Sequence, residues 1–554
     1  MAFAFLVLYA GTALNAISCT NFLITKGASA DGSTFISYSA DSHTLYGELY
    51  FWPAADYPEG AMLDIVEWDT GKPLGRIPQV RHTFSVVGNM NEKQVSIGET
   101  TYGGREELGS QSGAIMDYGS LIYIGLQRAS SAREAIRIIG DLMEKYGYAS
   151  SGESFSVMDK NEVWIMEIIG KGEGQLGGVW VAMRIPDGYI SGHANQARIT
   201  TFPLNDPENC LYAKDVISFA RSKGWYDGPD REFSFSDTYA PVNFGGARFC
   251  EARVWAMFNH ASKGMEQYEA YAMGKIEHGK HGYATNRMPL WIRPDHPITI
   301  QEMMSFMRDH YEGTPMDMNN DIGGGPFRCP YRWRPMTWEI DSVPYLHERA
   351  TSTQQTGFVF VSQGRSWLPD PIGGIHWFGV DDTYTTVFNP MYCGITKVPE
   401  SYAAGNGSML EYSPTSAFWA FTFVSNWAYT KWDYMIRDIQ LVQHELESKY
   451  VDNMARVEKQ AMDLYAASPA QAVAYLTNYS VTCGNATVSA YKKLGEYLLV
   501  KYHDGNIKKE KDGKFVDNGY GQAVMPSQPG YPEWWLREIV REHGDKVKVT
   551  GSAH

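Results

Sequence analysis

The first strongly patterned segment of the chain predicts a β-hairpin. Two apolar runs, residues 21–24 and 34–38, flank a stretch rich in glycine, serine and aspartate at residues 26–33, which is typical of two antiparallel strands joined by a turn. Further short runs of β-branched and aromatic residues, separated by polar or glycine-rich turns, predict an antiparallel meander. These runs cover residues 84–88, 94–101, 154–158, 163–169, 179–184 and 189–193.

Helical patterns occur between these strands and again towards the C-terminus. Ser131 and Glu134 form a capping box, and apolar residues recur at helical spacing after Trp432. We therefore predict an α+β protein in which residues 19–428 form one large domain and residues 429–554 a C-terminal helical region. The predicted helices include residues 115–128, 131–146, 488–502 and 532–543.

The composition is typical of a globular protein with a large core. Of the 554 residues, 44% are hydrophobic, and 16 Trp, 35 Tyr and 24 Phe are available for burial. The net charge of −15 opposes the attraction to phosphate backbones on which nucleic-acid binders depend. Nucleic acid is therefore not an expected partner.

The N-terminal segment has the character of a secretory signal. Residues 2–17 are apolar but fewer than the roughly 20 that a membrane-spanning helix requires, so no stable membrane insertion is expected. Ala16 and Ser18 place small residues at the −3 and −1 positions of a cut before Cys19. The basic residues that usually precede the apolar core are missing, and the alternative is a buried N-terminal strand or helix.

The six cysteines are widely scattered along the chain. They form no C-x-x-C pair and no Cys/His cluster with zinc-ligand spacing, so the sequence predicts no metal site. If Cys19 has a separate role, the remaining five are odd in number, and at least one of them cannot be in an intramolecular disulfide.

Removal of residues 1–18 would make Cys19 the first residue of the mature chain. An α-amino group has a pKa of about 7.7–8.0, so it can take the proton of the neighbouring thiol and release a thiolate that attacks a carbonyl. If the turn of the hairpin is centred on Ala30, antiparallel pairing places Asp41 opposite Cys19, beside that amine. The alternative for Asp41 is an ordinary turn residue at the end of a strand.

Lipidation is the competing fate of Cys19. A cysteine that follows a bacterial signal core can be acylated and become a membrane anchor, and it then has neither a free thiol nor a free amine. Ala16 is a poor match to the leucine that usually stands three residues before a lipidated cysteine. The residues alone leave nucleophile and anchor equally open.

Several segments carry a resemblance to a known family. The opening of the chain resembles that of the bacterial dipeptidase A family, cysteine-type N-terminal-nucleophile peptidases related to choloylglycine hydrolases and penicillin V acylases. The resemblance extends from Cys19 to the C-terminal helices. The similar segments are residues 19–21, 26–34, 40–43, 88–93, 97–101, 192–198, 309–314, 418–419 and 426–427.

The resemblance implies an αββα sandwich with Cys19 on a central strand and hydrolysis of short peptides through an acyl-enzyme. Cys19 matches the family nucleophile, and Asp41 matches the acidic residue that ends the opening hairpin. Asn195 matches an asparagine that donates to the oxyanion in related acylases, a role that needs a preorganised donor. Arg248 and Arg253 both fall where the wider superfamily has an active-site arginine, and the sequence does not choose between them.

Two positions depart from the family pattern. Several relatives have an arginine three residues before the hairpin acid, where this chain has Tyr38. The related acylases have an asparagine where this chain has Thr101, so a second oxyanion donor would have to be a backbone N–H. These departures affect substrate preference and rate more than the class of reaction.

The sequence thus predicts a secreted or periplasmic cysteine dipeptidase that acts on dipeptides or very short peptides without a metal or organic cofactor. One alternative is a non-peptide amide hydrolase of the acylase type. The other is a lipid-anchored surface protein, acylated on Cys19, that binds peptides or glycans without turnover. A homo-oligomer and the side-chain preference of the substrate are left open.

Overall fold

The computed structural model describes residues 19–550. The signal sequence predicted for residues 1–18 lies outside the described residues.

Most strands belong to two large sheets, and the rest form two-stranded ribbons. The strands are β1 (Asn21–Ile24), β2 (Thr34–Asp41), β3 (Phe51–Trp52), β4 (Ala55–Asp56), β5 (Met62–Val66), β6 (Pro73–Pro78), β7 (His82–Thr83), β8 (Val86–Val87), β9 (Met90–Asn91), β10 (Ser96–Gly103), β11 (Gly152–Met158), β12 (Val163–Gly170), β13 (Gly178–Arg184), β14 (Ile190–His193), β15 (Cys210–Tyr212), β16 (Trp291–Ile292), β17 (Thr337–Ile340), β18 (Val343–Leu346), β19 (Thr356–Gly364), β20 (Ile375–Val380), β21 (Asn389–Tyr392), β22 (Glu510–Lys511) and β23 (Lys514–Phe515).

The α-helices range from single turns to more than thirty residues. They are α1 (Tyr118–Arg128), α2 (Ala132–Tyr146), α3 (Val216–Ser222), α4 (Phe235–Tyr239), α5 (Ala252–Ala261), α6 (Glu269–Ala272), α7 (Ile300–Phe306), α8 (Asp370–Gly373), α9 (Ala417–Ala428), α10 (Trp432–Ala467), α11 (Pro469–Lys501) and α12 (Glu533–His543).

The two large sheets are antiparallel and lie face to face. The first has the strand order β16-β14-β1-β2-β19-β20-β21, and the second has the order β15-β13-β12-β11-β10-β9-β8-β3. Strands β1 and β2 pack on β10 and β11, while α1 and α2 cover the outer face of the second sheet and α9 to α11 pack against β20 and β21. Apolar side chains fill the space between sheet and helices on each side, because each sheet must bury its apolar faces. The result is a mixed α and β protein with a layered core.

The predicted opening hairpin is present, but its register differs by one residue from the prediction. Leu23 pairs with Ile36, and Thr20 pairs with Ser39, so the turn is centred between Ser29 and Ala30 rather than on Ala30. Ala40, and not Asp41, is therefore the residue opposite Cys19. A 3₁₀ turn at Lys26–Ala28 takes up part of the connection, and the turn residues alone do not reveal this.

The predicted meander is correct for β10 to β13 but wrong for its last strand. Strand β14 leaves the second sheet and pairs with β1, so that Asn21 lies opposite His193. The His193 ring bonds to Thr100 and to Ser156, each at 2.7 Å, on two strands of the other sheet. Local patterns predict that a strand exists but not which partner it finds, because pairing is decided by residues distant in sequence.

The C-terminal helices are longer than their periodicity predicts. Helix α11 begins at Pro469 rather than at residue 488. The sequence pattern missed its first half because the buried face includes Thr477, Ser480 and Thr487, which do not stand out as apolar. Buried residues of α10 and α11 belong to the same apolar cluster as the first sheet. The domain boundary at residue 428 stays a prediction.

Candidate active site

Cys19 lies at the head of β1 and is fully buried. Its Sγ is 3.6 Å from the hydroxyl of Tyr38 and 3.6 Å from Oε1 of Glu99, and the backbone N–H of Asp41 donates to it. Burial raises the pKa of the thiol well above its usual value, and the negative charges of Glu99 and Asp41 add to the shift. In these surroundings the thiol is protonated at neutral pH and needs a base to become a nucleophile.

A cluster of three side chains, Tyr38, Glu99 and Glu153, lies on the Sγ side of Cys19; we call it the carboxyl cluster. The Tyr38 hydroxyl donates to Glu99 Oε1, and Thr101 Oγ1 donates to Glu153 Oε1 at 2.7 Å. Within residues 19–550, no group other than the partner glutamate is placed to donate to Oε2 of either one. The two fully buried carboxyl groups therefore depend on each other for a hydrogen bond that the surrounding protein would normally supply.

The two glutamates are close enough to hold a proton between them. Burial raises the pKa of Glu99 to about 7, although the hydrogen bond from Tyr38 lowers it. Burial and the charge of Glu99 raise the pKa of Glu153 well above its usual value. Since like charges at close range cannot both ionise cheaply, the pair retains at least one proton near neutral pH.

The role of this cluster was missed by sequence reasoning, although Glu99 lies in a segment that carries the family resemblance. An acidic residue within the strand pattern of residues 94–101 is a signal, since a buried charge in a strand is uncommon. Gly98 leaves room for this contact: a Cβ at this position would lie 2.8 Å from Asn21 Nδ2 and 3.2 Å from Tyr38 Cβ. The missing side chain lets β1 and β2 pack closely on β10, where Tyr38 meets Glu99.

A second cluster, Asp41, Arg253 and Arg349, lies on the other side of Cys19; we call it the arginine cluster. All five N–H donors of Arg253 are occupied, and no carboxylate of the described chain lies within ion-pair distance of it. Arg253 therefore fixes the backbone around Cys19 without a paired negative charge. Its acceptors are the carbonyl oxygen of Cys19 at 2.6 Å, Thr20 Oγ1 at 2.7 Å, Asn195 Oδ1 at 2.9 Å, the carbonyl of Ala194 at 3.1 Å and the carbonyl of Phe249 at 2.8 Å.

Asp41 is held by the rest of this cluster. Its carboxylate pairs with Arg349 at 2.5 Å and accepts from Thr356 Oγ1 at 2.7 Å and Ser39 Oγ at 3.1 Å. Alternation along β2 places this side chain on the face opposite Tyr38, so the contact between Asp41 and Sγ is made by its backbone N–H.

The structure separates the two candidate arginines. Arg253 is in the first turn of α5 and contacts Cys19 directly. Arg248 lies in the preceding π-helical turn and forms an ion pair with Glu348. Of the two, Arg253 is the one that belongs to the site.

Asn195 follows β14 with a left-handed backbone, at φ 61°, a conformation that asparagine adopts more readily than most residues. Its Nδ2 donates to the carbonyl of Thr101 at 2.6 Å, while its Oδ1 accepts from Arg253. The hydrogen bond from Arg253 to Oδ1 thus directs Nδ2 of Asn195 toward Thr101 on β10 of the second sheet.

The two clusters meet at a cleft of about 540 Å³, a volume suited to a small organic ligand. Its lining includes Glu153 and Asp69 together with Asn195, Arg253 and Arg349. Cys19 is fully buried and does not line the cleft itself, but Arg253 reaches from the cleft to the carbonyl oxygen of Cys19. An amide substrate in this cleft would meet an amide donor and charges of both signs, next to the buried thiol.

Other kinds of site receive no support from residues 19–550. This part of the chain holds no group of three or more His, Cys, Asp or Glu side chains that could bind a metal ion, and none of its helices is long and apolar enough to cross a membrane. All six cysteines are free thiols.

Comparison with known proteins adds the family. The model of peptidase family C69 matches residues 18–445. The chain belongs to this family. The C69 match begins one residue before Cys19 and extends into α10, so it includes both clusters and the cleft between them.

The C69 chain is also similar to curated proteins from several bacteria. It is 25% identical over 400 residues to a probable dipeptidase of Salmonella dublin, a match covering 68% of this chain and 82% of that protein. It is 23% identical over 425 residues to dipeptidase A of Lactobacillus helveticus, covering 69% and 77% of the two chains. The resemblance found in the sequence to the dipeptidase A family is confirmed.

Proposed function

We propose that this C69 peptidase is a dipeptidase that uses Cys19 as an N-terminal nucleophile. The observation that carries the proposal is the position of Cys19, buried between an arginine that binds its carbonyl and a carboxyl pair beside its Sγ. The names of the similar bacterial proteins agree with the substrate class. The layers of sheet and helix suit the αββα sandwich of N-terminal-nucleophile hydrolases.

In the full chain the nitrogen of Cys19 is an amide, since Ser18 precedes it. Cleavage of the Ser18–Cys19 bond converts it into an amine that can accept the thiol proton. The thiolate then attacks the carbonyl carbon of the substrate, and the ammonium returns its proton to the nitrogen of the leaving amino acid as the C–N bond breaks. Water, deprotonated by the same amine, hydrolyses the thioester and restores the thiol.

The remaining residues of the site have supporting roles in this mechanism. Asn195 is the proposed side-chain donor to the tetrahedral oxyanion, with its amide oriented by Arg253. Asp41 contributes the backbone N–H that contacts Sγ, and its carboxylate, held by Arg349, stabilises the protonated amine. Export to the periplasm or the medium follows from the apolar segment before Cys19 and is part of the proposal.

The proposal is tested on protein purified from its native host. Intact-mass analysis and N-terminal sequencing are expected to show a free Cys19 at the N-terminus, in an exported fraction. Hydrolysis of Ala-Ala is expected to fall by about 10⁶-fold in Cys19→Ala, as when an activated nucleophile is removed. The matched control is Cys329→Ala, which removes a thiol that does not line the cleft and should leave the rate unchanged.

Three results would overturn the proposal. A diacylglyceryl mass on Cys19 would make it an anchor. Hydrolysis that survives Cys19→Ala would place the chemistry elsewhere. Faster turnover of N-acyl amino acids than of dipeptides would favour the acylase alternative.

A further inference from the structure

The carboxyl cluster presents a chemical problem for a cysteine hydrolase. Glu99 Oε1 lies 3.6 Å from the nucleophilic sulfur, and its negative charge opposes formation of the thiolate. A carboxylate in this position slows the reaction unless something neutralises it when the substrate binds. Its neighbour Glu153 is a second carboxyl, whose raised pKa leaves it without a charge that could offset that of Glu99.

No cation of the described chain accompanies this pair. Both glutamates are fully buried, and among residues 19–550 the only donor for their Oε2 atoms is the proton that they share. Glu153 lines the cleft together with Asp69, whose carboxylate accepts from the Tyr118 hydroxyl at 2.6 Å. This part of the cleft is therefore acidic.

The covalent geometry of a dipeptide matches this arrangement. Its α-ammonium nitrogen is two bonds from the scissile carbonyl carbon, roughly 2.5 Å away. A carbon poised for attack lies roughly 3–3.5 Å from the sulfur. The ammonium must therefore lie within roughly 6 Å of Sγ, and the carboxyl cluster occupies that region on one side.

We propose that the Glu99–Glu153 pair is the receptor for the free α-ammonium group of the substrate. The inference rests on the proposed dipeptidase function and deepens it. An ammonium supplies N–H donors to both carboxyl groups and displaces the proton held between the two glutamates. It also cancels the charge that opposes thiolate formation, so that only a substrate with a free amine activates Cys19.

Thr101 orients Glu153 in this arrangement. The acylases that resemble this chain have an asparagine at the corresponding position, and here Thr101 Oγ1 holds Glu153 at 2.7 Å. The departure from the acylase pattern thus converts a position used for the oxyanion into one that orients an amine-binding carboxyl.

The test compares Ala-Ala with N-acetyl-Ala-Ala in the wild type, in Glu153→Gln and in the control Glu106→Gln. Glu106 is an exposed glutamate after β10, so its substitution makes the same charge change outside the cleft. The wild type and the control should prefer the free amine strongly. Glu153→Gln should lose roughly 10–100-fold in kcat/KM for Ala-Ala, the value of a hydrogen bond to a charged group, with little change for the acetylated peptide.

A binding experiment covers the case in which hydrolysis is too slow to measure. Calorimetric titration of Cys19→Ala in buffers of different ionisation enthalpy should detect about one proton released per Ala-Ala near pH 6.5 and none for N-acetyl-Ala-Ala. Introducing the Glu153→Gln substitution into the Cys19→Ala variant should abolish this proton release.

The outcomes separate this inference from the proposed function. A wild type that hydrolyses no dipeptide refutes the proposed function. A wild type that hydrolyses Ala-Ala through Cys19, while Glu153→Gln keeps the full preference for the free amine and the proton release, refutes only the ammonium receptor.

Discussion

The two clusters that flank Cys19 differ in how their polar groups are satisfied. In the arginine cluster every N–H of Arg253 has an acceptor, and the Asp41 carboxylate has three donors. In the carboxyl cluster the only donor for the Oε2 atoms is the proton that Glu99 and Glu153 share. Arg253 and Asp41 are satisfied as folded and hold the head of β1 in place, whereas the two glutamates have no cation beside them in the described chain and can bind one.

The difference has an energetic reason. A buried ion that is fully hydrogen-bonded has recovered its desolvation cost within the fold, so its contribution is rigidity. A buried carboxyl with no cation beside it still bears that cost when it ionises, and a cationic ligand can relieve it. Substitutions in the arginine cluster should therefore reduce catalysis of every substrate, and those in the carboxyl cluster should discriminate between substrates.

The largest effect is expected for Arg253→Gln. It removes a cation that binds the Cys19 carbonyl and Asn195 together, so kcat should fall by about 10³-fold for free and N-acetylated peptides alike, with a loss of about 3 kcal/mol in the free energy of unfolding. Kinetics and denaturant unfolding measure both. Arg248→Gln is the matched control, and an equal loss of kcat in that variant would contradict the assignment of Arg253.

Asn195→Gly should have the next largest effect. Glycine accepts the positive φ of this position, so the backbone is retained while the amide is lost. We expect kcat to fall by about 10²-fold with KM nearly unchanged, as for loss of one oxyanion donor. A change confined to KM, seen in steady-state kinetics, would mean that Asn195 binds substrate instead.

Glu99→Gln should change how stability depends on pH. The pKa of Glu99 is raised to about 7 in the folded protein, above the roughly 4.3 of an unfolded glutamate. The folded state therefore retains a proton that the unfolded state loses, and this stabilisation disappears as the pH rises through that window. Relative to the wild type, the variant should gain stability between pH 5 and pH 8, by about 1–3 kcal/mol, in thermal unfolding. A constant difference across that range would show that Glu99 is ionised throughout.

Tyr38→Phe should produce the smallest effect. It removes the hydroxyl that donates to Glu99, which destabilises the fold by about 1–2 kcal/mol. Because this hydrogen bond lowers the pKa of Glu99, its loss should shift the acid limb of the rate profile for Ala-Ala to higher pH. Tyr46→Phe, a hydroxyl substitution outside both clusters, should leave that limb in place.

Sequence reasoning named four residues that meet in the candidate site, but not the full composition of that site. Cys19, Asp41, Asn195 and Arg253 were all candidates, and the structure brings them together. The choice between Arg248 and Arg253 could not be made from sequence, because a π-helical turn precedes α5 and changes which side chains face the strand. The position of Asp41 was predicted one residue out of register because the sequence does not reveal the 3₁₀ turn at Lys26–Ala28 within the hairpin connection.

The carboxyl cluster shows most clearly where sequence reasoning ended. Glu99 and Glu153 are 54 residues apart in the chain, and although an acid within a strand pattern marks Glu99 as unusual, nothing in the local sequence links it to Glu153. They become a pair only because β10 and β11 are neighbours in the sheet. Burial then raises both pKa values, and burial is not a property of a short segment.

By itself, the amino-acid sequence determined the family, the mixed α and β class, the opening hairpin and the position of Cys19 at its head. These follow from local patterns and from short motifs whose residues lie close together in the chain. The tertiary structure alone decided which arginine contacts Cys19, which glutamates lie beside its sulfur, and which polar groups lack donors. The physical reason is that desolvation and hydrogen-bond satisfaction depend on everything packed around a group, and the packing around Cys19 brings together residues from Thr20 to Thr356.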